Sequence, residues 1–313
     1  MMSPDANGRI PAPWVGRPGA LVFTVACLLV VLVFLQTLRE AKYEVDRVYP
    51  QTLYVSSGTT LRQLALSFDS VLADIYWIRA IQHYGGTRRD DTSAKEYELL
   101  YPLLDIATTL DPRFNIAYRF GAIFLAEVHP NGPGRPDWAV ALLQKGVHEV
   151  PDRWQYLQDI GFVYYWWQHD YEEAARWFRR ASEIPGSPWW LRSLAANTLA
   201  VGGNRADSRV LWREIHESSD NEWMRQEAQR RLLQLDALDQ VEQYRVAVER
   251  FTEREGSVPA LWRDVIGNLV RPAAPLDPTG YPYVLDPLSG AVSVSPQSPL
   301  FPLPDELRAM GSP

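Results

Sequence analysis

The chain reads as an all-α protein: a right-handed solenoid of helix–turn–helix repeats, with one apolar helix near its N-terminus and a small β-hairpin near its C-terminus. Three observations lead there. Small and large apolar residues recur in one register at a spacing near 34 residues, a proline closes each recurrence, and an uninterrupted apolar run precedes them all. Composition agrees. At 313 residues, 46% hydrophobic and 12 Trp, the chain can fill a packed core, and its length suggests about two domains. A net charge of −7 leaves no basic face for counterion release, which argues against nucleic acid as a partner. Cys27 is the only cysteine, so no disulfide can form within the chain.

Residues 1–17 form a short tail, and residues 18–38 carry no charged side chain. About twenty helical residues at about 1.5 Å each span roughly 30 Å, the thickness of bilayer hydrocarbon, which predicts a transmembrane helix. A cleaved signal peptide and a buried core helix are the alternatives. A signal peptide has a shorter apolar region and a small-residue cleavage site, whereas this run ends in Leu38-Arg39-Glu40. Arg9 and Arg17 precede the run and Arg39, Lys42 and Arg47 follow it, so basic residues do not settle orientation. A short tail before one apolar run is the layout of a signal anchor in a bacterial inner membrane, and it favours the bulk of the chain outside the cytoplasm.

Residues 39–60 read as a juxtamembrane linker with strand-like Thr52-Leu53-Tyr54-Val55. Residues 61–86 then read as one long amphipathic helix whose apolar positions are Leu64, Phe68, Val71, Leu72, Ile75, Ile78 and Ile81.

The repeats occupy 61–256. Ala174, Phe178 and Ala181 recur 34 residues on as Ser208, Trp212 and Ile215, and 35 residues back as Ala139, Leu143 and Gly146. A further 39 residues back stand Leu100, Leu104 and Ala107. Pro112, Pro151 and Pro185 close three units, and Ala122, Gly161 and Ala196 keep step on the preceding helices. Small residues at fixed points let two helix axes approach, and a large residue on the partner fills the gap. The longer spacing falls at the Gly/Pro-rich loop 127–137.

This pattern resembles the tetratricopeptide repeat, a helix–turn–helix unit with a period of 34 residues. The resemblance covers 115–152, 154–186 and 187–220, half a unit at 97–112, and a degenerate unit beginning at Trp223. It implies that the first helix of each unit lines a concave groove. By register the groove would comprise Ile116, Arg119 and Ile123, then Gln155, Gln158, Phe162, Tyr165 and Trp166, then Trp190, Ser193 and Asn197. Aromatic platforms beside amides suit an extended peptide or a helix of another membrane or envelope protein. The basic carboxylate clamp of chaperone-binding family members is missing. Tyr164–Trp167 spans a full helical turn, so part of it must face the core, Tyr164 first.

Beyond Trp223 the sequence lacks helix breakers for a long stretch, giving one long helix or two joined near Asp236. Residues 257–313 hold a short helix with Pro259 at its start, then turn signals at 277–280 and 287–290 flanking strand-like residues, a β-hairpin. The Asp-Pro-x-Gly-x-Pro-Tyr run at 277–283 resembles the C-terminal turn of the major pseudopilins of type II secretion. Asp277 and Asp286 read as turn formers rather than calcium ligands. The proline-rich end is expected to be extended, over the repeats or free.

Motifs for chemistry are missing. His83, His129, His148, His169 and His216 are scattered, no glycine-rich phosphate loop opens a helix, and no serine sits in a nucleophile elbow. The expectation is a non-catalytic scaffold without metal or cofactor, serving assembly or stability of an envelope machine for secretion, pili or polysaccharide export. An integral subunit of a membrane complex and a membrane-tethered enzyme without a recognisable motif are the alternatives.

Overall fold

The computed structural model describes residues 18–42, 57–90, 95–266 and 274–304. The N-terminal tail, the strand-like 52–55 and residues 305–313 lie outside the described residues. The chain divides into two compact units, Met1–Thr52 and Leu53–Pro313.

In the first unit the apolar run forms helix α1 (Pro18–Lys42), which continues past the expected end at Leu38. Its described side chains, Val22, Phe23 and those of residues 25–35, are all exposed. At about 1.5 Å per residue they cover roughly 20 Å, against about 30 Å of hydrocarbon. Among the described residues no helix is long and apolar enough to cross a membrane.

The second unit is helical almost throughout and has the organisation of a helical repeat. Its helices are α2 (Gly58–Leu64), α3 (Asp69–Arg89), α4 (Leu100–Leu110), α5 (Asn115–Ala126), α6 (Pro136–Glu149), α7 (Trp154–Val163), α8 (Tyr171–Ser182), α9 (Trp190–Val201), α10 (Arg205–Ser218), α11 (Glu222–Glu255) and α12 (Trp262–Ile266). From α3 to α11 each helix packs on its successor, and α5 also touches α7 while α4 touches α6. The ends follow local chemistry. Pro112, Pro151 and Pro185 stand just past α4, α6 and α8. Asp170, Asn204 and Asn221 cap α8, α10 and α11 by accepting backbone N–H bonds.

The recurring small residues sit where helices come closest. Gly146, Ala181 and Ala196 are buried, and a Cβ on Gly146 would lie 3.0 Å from the Tyr118 ring and 3.1 Å from that of Tyr156. A Cβ on Gly161 would come within 2.5 Å of the Phe178 ring and 3.1 Å of the Ala174 carbonyl. Such approaches leave room for hydrogen alone, so α7 and α8 meet at backbone distance. A polar staple adds to this between α4 and α6. The Lys145 ammonium donates to the Asp105 carbonyl and carboxylate (2.8 and 2.7 Å), to Thr108 Oγ1 (3.0 Å) and to Thr109 Oγ1 (2.6 Å).

Four expectations change. The single helix expected over 61–86 is broken into α2 and α3 by Leu66 (φ 48°) and Ser67 (φ 72°), and α3 runs on to Arg89. Its stripe also faces the other way: Ala73, Tyr76, Ala80, His83 and Tyr84 are buried, while Leu64, Phe68, Val71, Ile75 and Ile78 are exposed. Close packing on α4 selects the face with alanines, and the Tyr84 ring stacks on Phe124 at 4.3 Å; hydropathy alone favoured the wrong side. Third, no degenerate hairpin starts at Trp223. A single helix of 34 residues ends at Gly256, whose φ of 69° suits a glycine C-cap. Fourth, α12 begins at Trp262, so Pro259 lies ahead of it rather than at its first position.

The hairpin is present. Strands β1 (Val284–Leu285) and β2 (Val292–Ser293) pair antiparallel, Val284 opposite Ser293 and Leu285 opposite Val292. Tyr283, Val294 and Leu300 pack with Ala237 of α11. The buried Gln234 amide donates to the Leu300 and Pro302 carbonyls (2.8 and 2.9 Å), so the extended end to residue 304 lies on α11. The tail thereby fills the side of α11 that a following helix would cover in a longer stack.

Replacing Gly161 by Ala should lower unfolding free energy by about 1–3 kcal/mol despite alanine's better helix propensity, since the Phe178 ring has nowhere to move. Adding Phe178→Leu should return part of that loss relative to Phe178→Leu alone. Chemical denaturation of the four proteins checks the coupling, and additive losses would place the close approach elsewhere.

Candidate functional site

The face shared by α5, α7, α9 and the start of α11 is tied helix to helix. The Arg119 guanidinium on α5 grips the Asp159 carboxylate on α7 with two bonds, Nε to Oδ2 at 2.5 Å and Nη2 to Oδ1 at 3.0 Å. Trp154 at the start of α7 meets Trp190 at the start of α9 edge to face, ring centres 6.2 Å apart. Trp189 meets Trp223 of α11 in the same manner at 5.9 Å, and the Ser193 hydroxyl lies 3.7 Å from the Met224 sulfur.

Burial pushes the Asp159 carboxyl above the usual carboxylate range, and the bonds from Arg119 pull it back only in part. Arg119 itself is held more firmly protonated, chiefly by the hydrogen bonds to Asp159. The forked geometry is that of an ion pair, and both groups are charged at neutral pH. Arg119 is therefore committed to Asp159 and serves the wall of the face rather than offering a free cation.

The expected groove residues separate into two groups. Ile116 and Ile123 are exposed on α5, with Phe120, which the register reading passed over, completing the stripe at 52% exposure. On α9, Trp190, Ser193 and Asn197 line one cleft of about 300 Å³. Trp189, Trp223, Met224 and Glu227 join them there and were also missed. The Trp-Trp pair at 189–190 was a signal for the first, and the long helix expected after 223 did not reveal which of its sides faces α9.

On α7 the expectation is only partly met. Gln158 is buried, in a run where Tyr156, Leu157, Ile160, Gly161 and Val163 are buried as well. That helix is enclosed by neighbours on most sides, so its outward strip is narrow. Phe162 is half-buried against the Phe178 ring at 5.1 Å. Tyr165 is half-buried between Trp166 and Tyr171, and only Trp166, 61% exposed, projects freely. The aromatic run at 164–168 is not an α-turn but a π-helical one, followed by His169 at φ 53°. The wider turn lets Tyr164 and Trp167 both pack against the core while Trp166 turns outward.

The polar chemistry of the cleft is modest. The Glu227 carboxylate accepts from Arg231 at 2.7 Å. Gln155 and Asn197 are half-buried. Neither amide makes a hydrogen bond among the described residues, leaving each free to pair with a peptide backbone. A second cleft of about 470 Å³, bordered by Ser187, Trp189, Arg192, Asp220 and Asn221, opens on the other side of Trp189.

Among the described residues no three His, Cys, Asp or Glu side chains are grouped to hold a metal ion. His83 is buried on α3, where burial lowers its pKa. Asp277 is occupied as a turn residue: it accepts from Thr279 N and Oγ1, Tyr281 N and Ser298 Oγ. Burial works to raise its pKa, but those bonds outweigh it and hold the carboxyl below its ordinary value.

Comparison with known proteins finds no matching family model, no matching curated protein and no matching solved structure.

Arg119→Met should cost about 1–2 kcal/mol, less than a fully buried pair because a third of the arginine side chain meets solvent. The orphaned Asp159 carboxyl then titrates higher still in the folded state than in the unfolded chain. A group shifted up in this way stabilises below its unfolded pKa and withdraws that support as pH rises through the folded value. The variant should therefore regain stability relative to the native chain between about pH 7 and pH 5. Denaturation midpoints across that range test this; a deficit independent of pH would mean lost packing, not an uncovered charge.

Proposed function

We propose that the chain is a membrane-tethered scaffold of tetratricopeptide type, which holds an extended or helical segment of another protein on the face formed by α5, α7, α9 and the start of α11. One observation carries the reading: exposed aromatic and aliphatic side chains continue along successive helices of that face, from Ile116, Phe120 and Ile123 to Trp166 and then to Trp189, Trp190 and Trp223. Large rigid aromatics beside unpaired amides supply contact area at low entropic cost and hydrogen bonds for a peptide backbone. The recurring close approaches at Gly146 and Gly161 support the tetratricopeptide assignment.

The tether in this proposal is α1. Its support is the uncharged run 18–38 and the exposure of the described apolar side chains within it. The repeat unit would then lie outside the cytoplasm on a bacterial inner membrane, confined to two dimensions beside its partner, which raises effective concentration. The partner class is a protein of an envelope machine, held during assembly or to stabilise it. If the chain is an integral subunit instead, the partner will remain on it stoichiometrically through purification in detergent. A membrane-tethered enzyme would reveal itself by thermal stabilisation with small substrates and none with peptides.

A photoreactive phenylalanine analogue at Trp166 or Trp190, in membranes, should give one reproducible adduct, and the same group at exposed Arg213 on the outer helix α10 should not. Equal labelling from all three sites would remove the face from the proposal. A periplasm-dependent reporter fused after Pro313 should be active; activity only in the cytoplasm would reverse the orientation.

A further inference from the structure

The turn between α2 and α3 and the outer side of α3 carry an apolar surface that nothing in the second unit covers. Leu64, Leu66 and Phe68 are 66%, 82% and 67% exposed, and Val71, Ile75 and Ile78 follow at helical spacing, each about half exposed. An uninterrupted apolar patch on one side of a helix marks an interaction surface rather than chance exposure. Leu66 adds a second signal. It holds a φ of 48°, a left-handed conformation that glycine adopts freely and a leucine only under strain. A leucine kept there, with most of its side chain outside the fold, points to a use for that side chain beyond the domain.

We propose that this surface lies in the interfacial layer of the bilayer, with Leu64, Leu66 and Phe68 inserted at the tip and Val71, Ile75 and Ile78 lying along the boundary. This rests on the reading of α1 as a membrane tether. The occupant follows from chain length: α1 ends at Lys42 and α2 begins at Gly58. The residues between, at no more than about 3.5 Å each, reach at most roughly 50 Å in any conformation. The first folded surface after the tether is thus held near lipid and is the most apolar exposed part of the unit. The charges beside it are balanced, Arg62 and Arg79 against Asp69 and Asp74, and Arg79 is drawn over the Tyr76 ring at 5.2 Å. Insertion therefore depends on apolar contact and needs no particular lipid charge. The consequence is a fixed stance: two attachments, a helix and a surface, restrict rotation of the repeat unit about its tether and keep the partner-holding face at a set height.

The test uses the full-length chain with Cys27→Ser and one new cysteine at Leu66, Ile75 or, as a control, Arg213, each labelled with an environment-sensitive fluorophore. The proteins are reconstituted into phosphatidylethanolamine–phosphatidylglycerol vesicles and examined by flotation and by quenching from lipids that carry a quencher just below the headgroup. Labels at 66 and 75 should shift to the blue and be quenched several-fold more than the label at 213. Flotation with water-like spectra at 66 and 75 overturns the surface and leaves the tether standing. Failure to float overturns both. Labels shielded in native membranes but wet in pure lipid would show that a protein covers this surface, which also overturns the proposal.

Discussion

The second unit depends on helices meeting at backbone distance. Where Gly161 faces Phe178, and where Gly146 faces Tyr118 and Tyr156, a single hydrogen stands in place of a side chain and an aromatic ring closes the space. Every other feature of the stack is built on that separation. The Arg119–Asp159 fork and the Lys145 staple both join residues 40 apart in the chain, and they span the distance only because neighbouring repeats are so tightly registered. A bidentate bond tolerates little displacement, so the polar ties report the packing more than they create it.

The two ends of the stack resolve the same problem differently. A helical repeat cannot bury both of its faces alone, and each end leaves one face without a neighbour. On α11 the hairpin and the extended residues up to 304 supply the cover, fastened by Gln234 and by Tyr283, whose hydroxyl donates to Gln240 Oε1 at 2.9 Å. On α3 the outward side stays apolar and bare within the unit. The contrast is physical: the same chain buries a terminal face where it has a segment to spare, and leaves an apolar one where the next element is a tether.

Within the partner-holding face, the packing that makes a helix secure also withdraws it from use. Nearly all of α7 is enclosed, and the aromatic residues expected to reach outward are divided by the π-turn, Tyr164 and Trp167 against the core and Trp166 in solvent. On α9 the enclosed positions are alanines and leucines, so Trp190, Ser193 and Asn197 remain together in one cleft. Access on each helix is decided by how much of its circumference the neighbours take.

The sequence by itself determined the helical class, the spacing of the hairpins, the prolines that end them, the small residues at the crossings and the C-terminal hairpin. Each of these is written in local chemistry: periodicity, ring constraints and the size of one side chain. It also placed Trp190, Ser193 and Asn197 on a common side, because helical register alone brings them together. Only the tertiary structure decided which side of α3 is inside. That helix is apolar on two sides, and the choice between them went to Ala73 and Ala80, which admit α4 closely, over isoleucines of greater hydropathy. It also decided that Gln158 is buried, that Arg119 is spent on Asp159, and that α11 stays whole, since each depends on a neighbour remote in the chain and leaves no local trace.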